Sequence, residues 1–413
     1  MLKTDSNTEI FDKVMAYNSG REPERLAMKL ALMAKDPFTF MRGSCHLFYE
    51  DHHAELNKLA SPAAWICGDL HLENFGSYKG DNGLTYFDLN DFDECALAPC
   101  LWEVTRLLTS LIVAAKSLQL SQMQSEKMLN EMLDRYALTL ASGKAKWIER
   151  KTAKGMVSQL LDSLSKRSQK DFINSRSELK AGKRKLIIDG KRTLKLNKND
   201  KIAALELFKK VMPRTAKSEF YQPLDIARRV AGTGSLGVER YIILVAGDPD
   251  EIKPRLIDMK QINASALVPY LSLKQPKWNS QAERVSMIQG RSQAIAPALL
   301  KPVSFDNTAY LVKELQPSQD RLDLSLWQGN LTRLDNVFET MAEVVAWSHL
   351  RNAGFYNAAK PEALMQFGEH YNNWRDDVLK LAKTAAEINQ QHWVAYKNSY
   401  AKTQNKIAVT KNI

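Results

Sequence analysis

The sequence predicts an α+β protein, and three observations carry that prediction. Stretches with apolar residues at helical spacing alternate with short apolar runs. Turn signals such as KGDNG and GDPDEIKP stand between neighbouring short runs, as antiparallel connections require. No internal repeat divides the chain, and its 413 residues leave room for two to three domains or subdomains. At 44% hydrophobic and 25% charged, the composition supplies a large core and excludes a mainly disordered chain.

The elements follow in order. Residues 7–35 read as a helix, with Leu26, Leu30 and Met33 on one face. The aromatic-rich PFTFMRGSCHLFYED reads as a turn and short helix. Ala64–Ile66 and Leu84–Leu89 are strand candidates. Pro99–Leu118 is apolar enough for a buried helix, and 122–141 is amphipathic. In KRKLIIDGKRTLKLNKND two alternating runs flank Asp189-Gly190, which predicts a hairpin. Glu239–Ala246 and Arg255–Ile262 form an expected antiparallel pair. A helix over 279–296 comes next, then a strand over Ala309–Leu315 ended by Pro317. Helices over 334–352 and 361–398 complete the chain.

The formal charge is +11, and it is concentrated. Residues 144–217 hold 22 Lys and Arg against 7 Asp and Glu, a surplus of +15, so the remainder carries −4. This segment reads either as a solvated insertion or as a basic flap that meets phosphates or another polyanion. The cysteines, Cys45, Cys67, Cys95 and Cys100, form no Cys-x-x-Cys pair, which argues against a disulfide scaffold or zinc knuckle. The N-terminal residues lack an apolar signal core. The longest apolar run, Leu107–Ala115, falls far short of the ~20 residues of a membrane span. A reduced, cytoplasmic setting without a membrane span is expected; oligomeric state is not readable.

Two constellations carry chemistry. ICGDLHLENFG follows an apolar strand and places Asp69, His71, Glu73 and Asn74 within six residues. YFDLNDFDE then adds Asp88, Asp91, Asp93 and Glu94. Such a density of acids is costly to bury without cations, and Mg²⁺ is the economical one beside phosphate oxygens. Asp-x-x-x-x-Asn matches the catalytic loop of kinase-like phosphotransferases, in which the Asp orients or deprotonates the acceptor hydroxyl and the Asn holds metal. GDLHLEN resembles the aminoglycoside and choline kinase version, and DFDECALAPCLWEVTRL resembles the segment after its metal-binding Asp, with Pro99 and Glu103 in the following places. Counting from Asn74 favours Asp88 as the metal ligand; the Asp-Phe pair and the downstream count favour Asp91, which is preferred while both are carried. A metallophosphoesterase would also use Asp69-x-His71, but would need a later Gly-Asn-His that is missing. His46, His52, His53 and Cys67 fit no zinc spacing.

The second constellation is RRVAGTGSLGVERYIILVAG, with Gly232, Gly234, Ser235 and Gly237 before a β-rich run rather than a helix. Glycine turn then strand is the arrangement that covers nucleotide phosphates in kinases, since no Cβ keeps the backbone away. PRLIDMKQI resembles the kinase strand whose Lys pairs the phosphates, here Lys260. Glu283 on the next helix is its candidate partner. TAYLVKELQP, with Glu314, resembles the strand and hinge that receive adenine. The order is broken, because the glycine turn follows the catalytic loop. Read from about residue 225 to the end and then from 1 to 141, the elements fall in kinase order, as a circular permutation gives.

FMRGS, GDLHLENFG, YFDLNDFDE, P-x-x-W-E-V-x-R-L, GTGSLG and the Lys strand together resemble an uncharacterised bacterial family of the protein-kinase-like superfamily. The resemblance implies a two-lobed, circularly permuted kinase-like fold. Residues 1–143 would carry the catalytic-loop half of a larger helical lobe and 144–217 a basic insertion with a hairpin. Residues 218–330 would form a small antiparallel-sheet lobe, and 331–413 a helical segment completing the large lobe. Gly68 stands where protein kinases carry Arg, which puts activation-loop control in doubt. The implied activity is ATP- and Mg²⁺-dependent phosphoryl transfer to an unknown small-molecule or protein hydroxyl. Asp69 would be the base; Asn74 and Asp91 or Asp88 would be metal ligands; Gly232, Gly234, Ser235, Gly237, Lys260, Glu283 and Glu314 would contact nucleotide. Adenylyl transfer, a pseudokinase and nucleic-acid binding through 144–217 are the alternatives.

Overall fold

The computed structural model describes residues 6–212, 221–248, 253–315 and 320–411. They form an α+β protein with antiparallel sheets. The single helix expected over 7–35 is two, α1 (Ser6–Tyr17) and α2 (Pro23–Met33). Gly20 takes a left-handed φ of 78°, and Pro23, which has no N–H to give, opens the second helix under a Glu22 cap. The aromatic-rich segment forms α3 (Pro37–Gly43), capped by Asp36, and α4 (Cys45–Lys58).

β1 (Ala63–Ile66), β2 (Phe75–Lys79), β3 (Thr85–Leu89) and β4 (Ala96–Pro99) come next. β1 pairs with β4, and β2 with β3 across the predicted turn. α5 (Leu101–Ala114) is buried almost all round, as its continuous apolar sequence requires. α6 (Gln122–Ala141) starts in a Ser121–Gln124 capping box and buries a stripe that includes Met128, Met132, Leu133 and Tyr136.

The basic segment holds β5 (Ile148–Glu149), α7 (Gly155–Ser165), α8 (Gln169–Asn174), β6 (Ser177–Lys180), β7 (Lys183–Leu186), β8 (Thr193–Leu194) and α9 (Lys198–Val211). Asp189-Gly190 does bend the chain: the Asp189 carboxylate accepts from the backbone N–H groups of Lys191, Arg192 and Thr193 at 3.0, 2.7 and 3.0 Å. The runs on either side do not pair with each other. β7 pairs back with β6, and β8 joins the next strand, β9 (Pro223–Arg229). The dipeptide specifies a turn, while the partner of each run is set by where its apolar side chains are buried.

That burial is against the main sheet, whose order is β12-β13-β11-β10-β9-β8. Its further strands are β10 (Arg240–Asp248), β11 (Lys253–Gln261), β12 (Lys301–Phe305) and β13 (Thr308–Glu314), with α10 (Gln281–Ser292) between β11 and β12. The expected pair over 239–262 is β10 with β11, Arg240 opposite Lys260 and Ile242 opposite Asp258. The turn between them, and Pro317 after β13, lie outside the described residues. On one face Ile243, Val245, Ile257 and Met259 pack under Leu207 and Phe208 of α9. On the other, Ile242, Leu244 and Leu256 pack with Ile173 of α8 and Leu186 of β7. The alternation along β10 is what a sheet covered on both sides requires.

β14 (Asp320–Arg321) extends a second sheet of order β14-β2-β3-β5. α11 (Leu331–Arg351) lies against α6, and the helix expected over 361–398 is broken at 370–374 into α12 (Pro361–Glu369) and α13 (Arg375–Lys411). The main core gathers α4, α5, α6 and α11 around β1 and β4. No helix among the described residues is long and apolar enough to cross a membrane.

Within this core α5 carries a fully buried carboxylate. Glu103 Oε2 accepts from the backbone N–H of Cys67 at 2.7 Å, and Oε1 from His349 Nε2 at 2.6 Å. His349 Nδ1 accepts in turn from the Tyr136 hydroxyl at 2.9 Å. Removing the carboxylate leaves two buried donors unsatisfied, each costing about 1–3 kcal/mol. Glu103→Ala is therefore expected to lose roughly 3 kcal/mol or more of stability, and Glu103→Gln, which keeps an acceptor, distinctly less; urea denaturation of the three proteins checks this.

Candidate functional site

The loop leaving β1 is placed by a glycine. Gly68 has φ 85°, and a Cβ there would lie 2.3 Å from the carbonyl oxygen of Glu94. Only glycine lets the first acidic loop pass this closely against the second. Asp69 follows. Its Oδ1 accepts from Arg106 Nε at 3.0 Å and Nη2 at 2.5 Å. Arg106 is fully buried on α5, also donates to the Met41 carbonyl at 2.9 Å and lies 4.9 Å from the Phe48 ring centroid. The carboxylate is thus locked in orientation.

Asn74 staples the two acidic loops. Its Nδ2 donates to the carbonyls of Asp69 at 3.2 Å and Asp91 at 3.1 Å, while its Oδ1 accepts from the Asp91 N–H at 2.7 Å. In this arrangement the amide oxygen expected to hold metal serves the backbone instead. Asp88 and Asp91 separate cleanly. Asp88 is buried behind the hairpin, accepting from Arg351 Nη1 at 3.0 Å, Ala294 N at 3.1 Å and Leu89 N at 2.9 Å. Asp91 stands on the cleft wall with its side chain 57% exposed.

Asp93 accepts a very short bond from Lys260, whose Nζ is 3.9 Å from Asp91 Oδ1. Enclosure raises Asp93, and the neighbouring Asp91 charge adds to it. Asp91 is held low instead: Lys260 and Lys313 outweigh its desolvation. Glu94 is pushed up to about 7 by burial, with Asp69 and Asp93 adding, even though it accepts from Ala266 N at 2.5 Å. Lys260 therefore finds its acid on the loop after β3 and not at Glu283. Glu283 caps its own helix, accepting from Asn279 N at 2.6 Å and Nδ2 at 2.9 Å. Ser280 completes that cap by accepting from the Glu283 N–H. Glu314 pairs with Arg255 at 3.5 Å, at the C-terminal end of β13. Neither residue lines the cleft.

The glycine turn 232–237 joins β9 to β10 and closes over Asp69; a Cβ on Gly234 would sit 3.9 Å from Asp69 Oδ2. Its carbonyls are captured by the link between α1 and α2 and by α2 itself. Arg21 donates to Gly234 O and Leu236 O, both at 2.7 Å, and Lys29 to Gly234 O at 3.0 Å. The Glu22 N–H reaches Gly237 O at 3.0 Å. Burial pushes the Lys29 ammonium well below its usual value. The Ser235 hydroxyl turns inward to the Ala231 carbonyl at 2.8 Å. A recess of about 60 Å³ behind the turn is lined by Tyr17, Lys29, Cys45, Asp69, Glu94 and Ser235.

In front of it opens a cleft of about 570 Å³ between the six-stranded sheet and the acidic loops. Asp69, Asn74, Asp91, Asp93, Gly232, Gly234 and Lys260 all face it. So do residues that the motifs left unassigned, among them Arg229, Arg240, Asp258 and Lys313. Asp258 was findable: it alternates with Lys260 in an otherwise apolar strand, LIDMK, so both point to one face. Arg106, three residues after Glu103, shares its helix face in the same way. Arg21 and Lys29 left no such signal, since their partners are carbonyls two hundred residues away. Among the described residues no group of three or more His, Cys, Asp and Glu is arranged to hold a metal ion by itself.

Residues 21–399 match the family described as an uncharacterized protein conserved in bacteria, DUF2252. No curated protein and no solved structure matches the chain.

The two loops meet at Gly68, which makes a controlled comparison available. Gly68→Ala and Gly83→Ala both impose a left-handed alanine, at about 1–2 kcal/mol. At Gly83 nothing lies within 4 Å of the added Cβ, whereas at Gly68 it meets backbone. Gly68→Ala is expected to cost roughly 1–3 kcal/mol more, read as the difference in melting temperature between the two variants.

Proposed function

The chain belongs to this DUF2252 family, and from that premise and the geometry of the cleft we propose that it is an ATP- and Mg²⁺-dependent phosphotransferase acting on a hydroxyl acceptor. One observation carries the reading. Asp69, the Asp91–Asp93 pair, Lys260 and the glycine turn come from segments up to about 190 residues apart and converge on a single cleft. The order β9, glycine turn, β10, Lys260 strand, α10, β12, β13 also follows the nucleotide-binding half of a kinase, and the acidic loops precede it in the chain, as a circular permutation would give.

Each part has a physical role in this reading. Phosphoryl transfer asks the protein chiefly for position and charge neutralisation. Arg106 fixes Asp69, so its second oxygen has a defined direction in which to orient an acceptor hydroxyl and take its proton. Lys260 is poised to exchange its carboxylate partner for phosphate oxygens. The glycine turn brings backbone to the cleft without side-chain bulk. Asp91 and Asp93 fit a Mg²⁺ that arrives with nucleotide, because Mg²⁺ is commonly held by one or two carboxylates plus phosphates and water, not by an all-protein cage. The ion would supply charge neutralisation at the phosphates. Glu283 and Glu314, turned to other partners, have no part here.

A second reading, nucleotide binding without transfer, is favoured by the Arg106 pair on Asp69 and by the use of the Asn74 oxygen on backbone. Thermal shift with nucleotides, with and without Mg²⁺, tests both. A nucleotide at 100 times its dissociation constant adds about 2.7 kcal/mol. Mg²⁺-dependent stabilisation is expected in the wild type and is expected to be lost in Asp91→Ala. Absence of any Mg²⁺-dependent nucleotide stabilisation overturns both readings. Asp69→Asn is expected to keep the stabilisation and lose turnover; full turnover in that variant refutes the role given to Asp69.

A further inference from the structure

We propose that the cleft contains a second anion site, formed by Arg176 and Arg192 of the basic segment with Arg229 and Lys313 of the sheet, which takes a phosphate group of a phosphorylated ligand. The inference rests on the reading of the cleft as the ligand site, and it names the chemistry recognised there.

The argument begins with charge balance. Asp258 is 1% exposed on β11 and is shared by Arg229 Nη1 at 2.5 Å and Arg240 Nη2 at 2.6 Å. Lys313 stands opposite it in the β11–β13 register. Three cations therefore surround one carboxylate, and the carboxyl is held far below its ordinary range despite burial. Arg176 and Arg192 bring further positive charge to the same wall of the cleft. Arg192 has Asp189 at 2.9 Å; the Nε of Arg176 is buried with no hydrogen-bond partner among the described residues. The Arg176 guanidinium lies 5.7 Å from the ring centroid of Phe172, which aims it without neutralising it.

The cations repel one another. Burial lowers Arg176, and Arg192 lowers it further. Arg229 is lowered to about 10 by burial, against the pull of Asp258 and with Arg240 adding. A buried donor without an acceptor and a cluster of like charges are both costly alone. A phosphate resolves them together, since its oxygens accept from guanidinium forks two at a time. Arg176 and Arg192 are placed by local structure, the first just after α8 and the second in the turn that Asp189 organises. Asp91 and Asp93 line the same cleft, and Lys313 acts on Asp91, so the two groups share one electrostatic environment.

Pyrophosphate without Mg²⁺ is the probe, read by thermal shift and by isothermal titration. Asp91→Ala, which removes a negative charge acting on Lys313, is expected to bind it at least as tightly as wild type; weaker binding in that variant would place the anion on the acidic pair and overturn the proposal. Arg176→Ala/Arg192→Ala is expected to bind at least 10-fold more weakly. Lys191→Ala/Lys195→Ala removes the same charge from exposed positions off the cleft and is expected to bind as wild type does. Equal weakening in both double variants, unchanged binding in Arg176→Ala/Arg192→Ala, or no pyrophosphate binding by wild type overturns the proposal. Arg176→Lys/Arg192→Lys, which keeps charge, guards against loss of fold as the cause and is expected to recover part of the affinity. Titration of Mg²⁺-ATP into Arg176→Ala/Arg192→Ala assigns the source. Unchanged affinity places an acceptor's phosphate at the site, and weakened affinity the nucleotide's own.

Discussion

Glu103 and Arg106, one turn apart on α5, grip the loop of Asp69 from two sides. The first takes the backbone N–H before it and the second takes its carboxylate. Burying two charges is worthwhile only when each finds partners of good geometry, and here each does: His349 and the loop backbone for Glu103, Asp69 and the Met41 carbonyl for Arg106. The remainder of the cleft is referenced to this grip. Asn74 transfers the position of the Asp69 loop to Asp91 through three hydrogen bonds. Asp93 then meets Lys260, and Arg284 of α10 donates to the carbonyls of Asp93, Cys95 and Asn263 at 2.9, 2.5 and 3.1 Å. The acidic loops are thereby joined to the sheet and to its crossing helix.

The charge of the chain takes on a different meaning in this frame. A segment with a surplus of +15 looks like a solvated appendage, yet its apolar side chains cover both faces of the main sheet. Ile173 and Leu186 lie on one side, Leu207 and Phe208 on the other. The lysines between them are the polar faces of amphipathic elements. Covering a sheet on both sides is a structural task that leaves the surface charge open to variation. Placing two arginines inside the cleft is not, and that is where the segment's charge meets the chemistry of the site.

How far the sequence could be read depended on the range of the interaction. α6 announced itself through its amphipathic stripe, α5 through a continuous apolar face, and the two acidic loops through their density of carboxylates. These are local signals. The break between α1 and α2 was also local, at Gly20 and Pro23, but helical spacing on both sides concealed it. The Asp189-Gly190 turn was legible while the pairing around it was not, because β7 closes a tight hairpin with β6 at Ala181-Gly182 and β8 pairs with β9, a strand that follows. Glu283, by contrast, bonds Asn279 at the start of its own helix, as a carboxylate in a first helical turn commonly does. Lys260 bonds Asp93, 167 residues away in the chain.

The glycine turn shows what such distant contacts accomplish. A turn of this composition is flexible alone, and glycine pays the largest backbone entropy on ordering. Here Arg21 and Lys29 capture the carbonyls of Gly234 and Leu236, and each bond from the Arg21 guanidinium contributes about 1.5–3 kcal/mol. With the carbonyls turned to the helical body, the peptide planes are fixed, and the turn is held against Asp69 without a side chain of its own in the way. The side chains that order it come from the link between α1 and α2, which carries Arg21, and from α2, which carries Lys29. In a chain whose acidic loops precede its glycine turn, this N-terminal stretch is what brings the turn back to the loops.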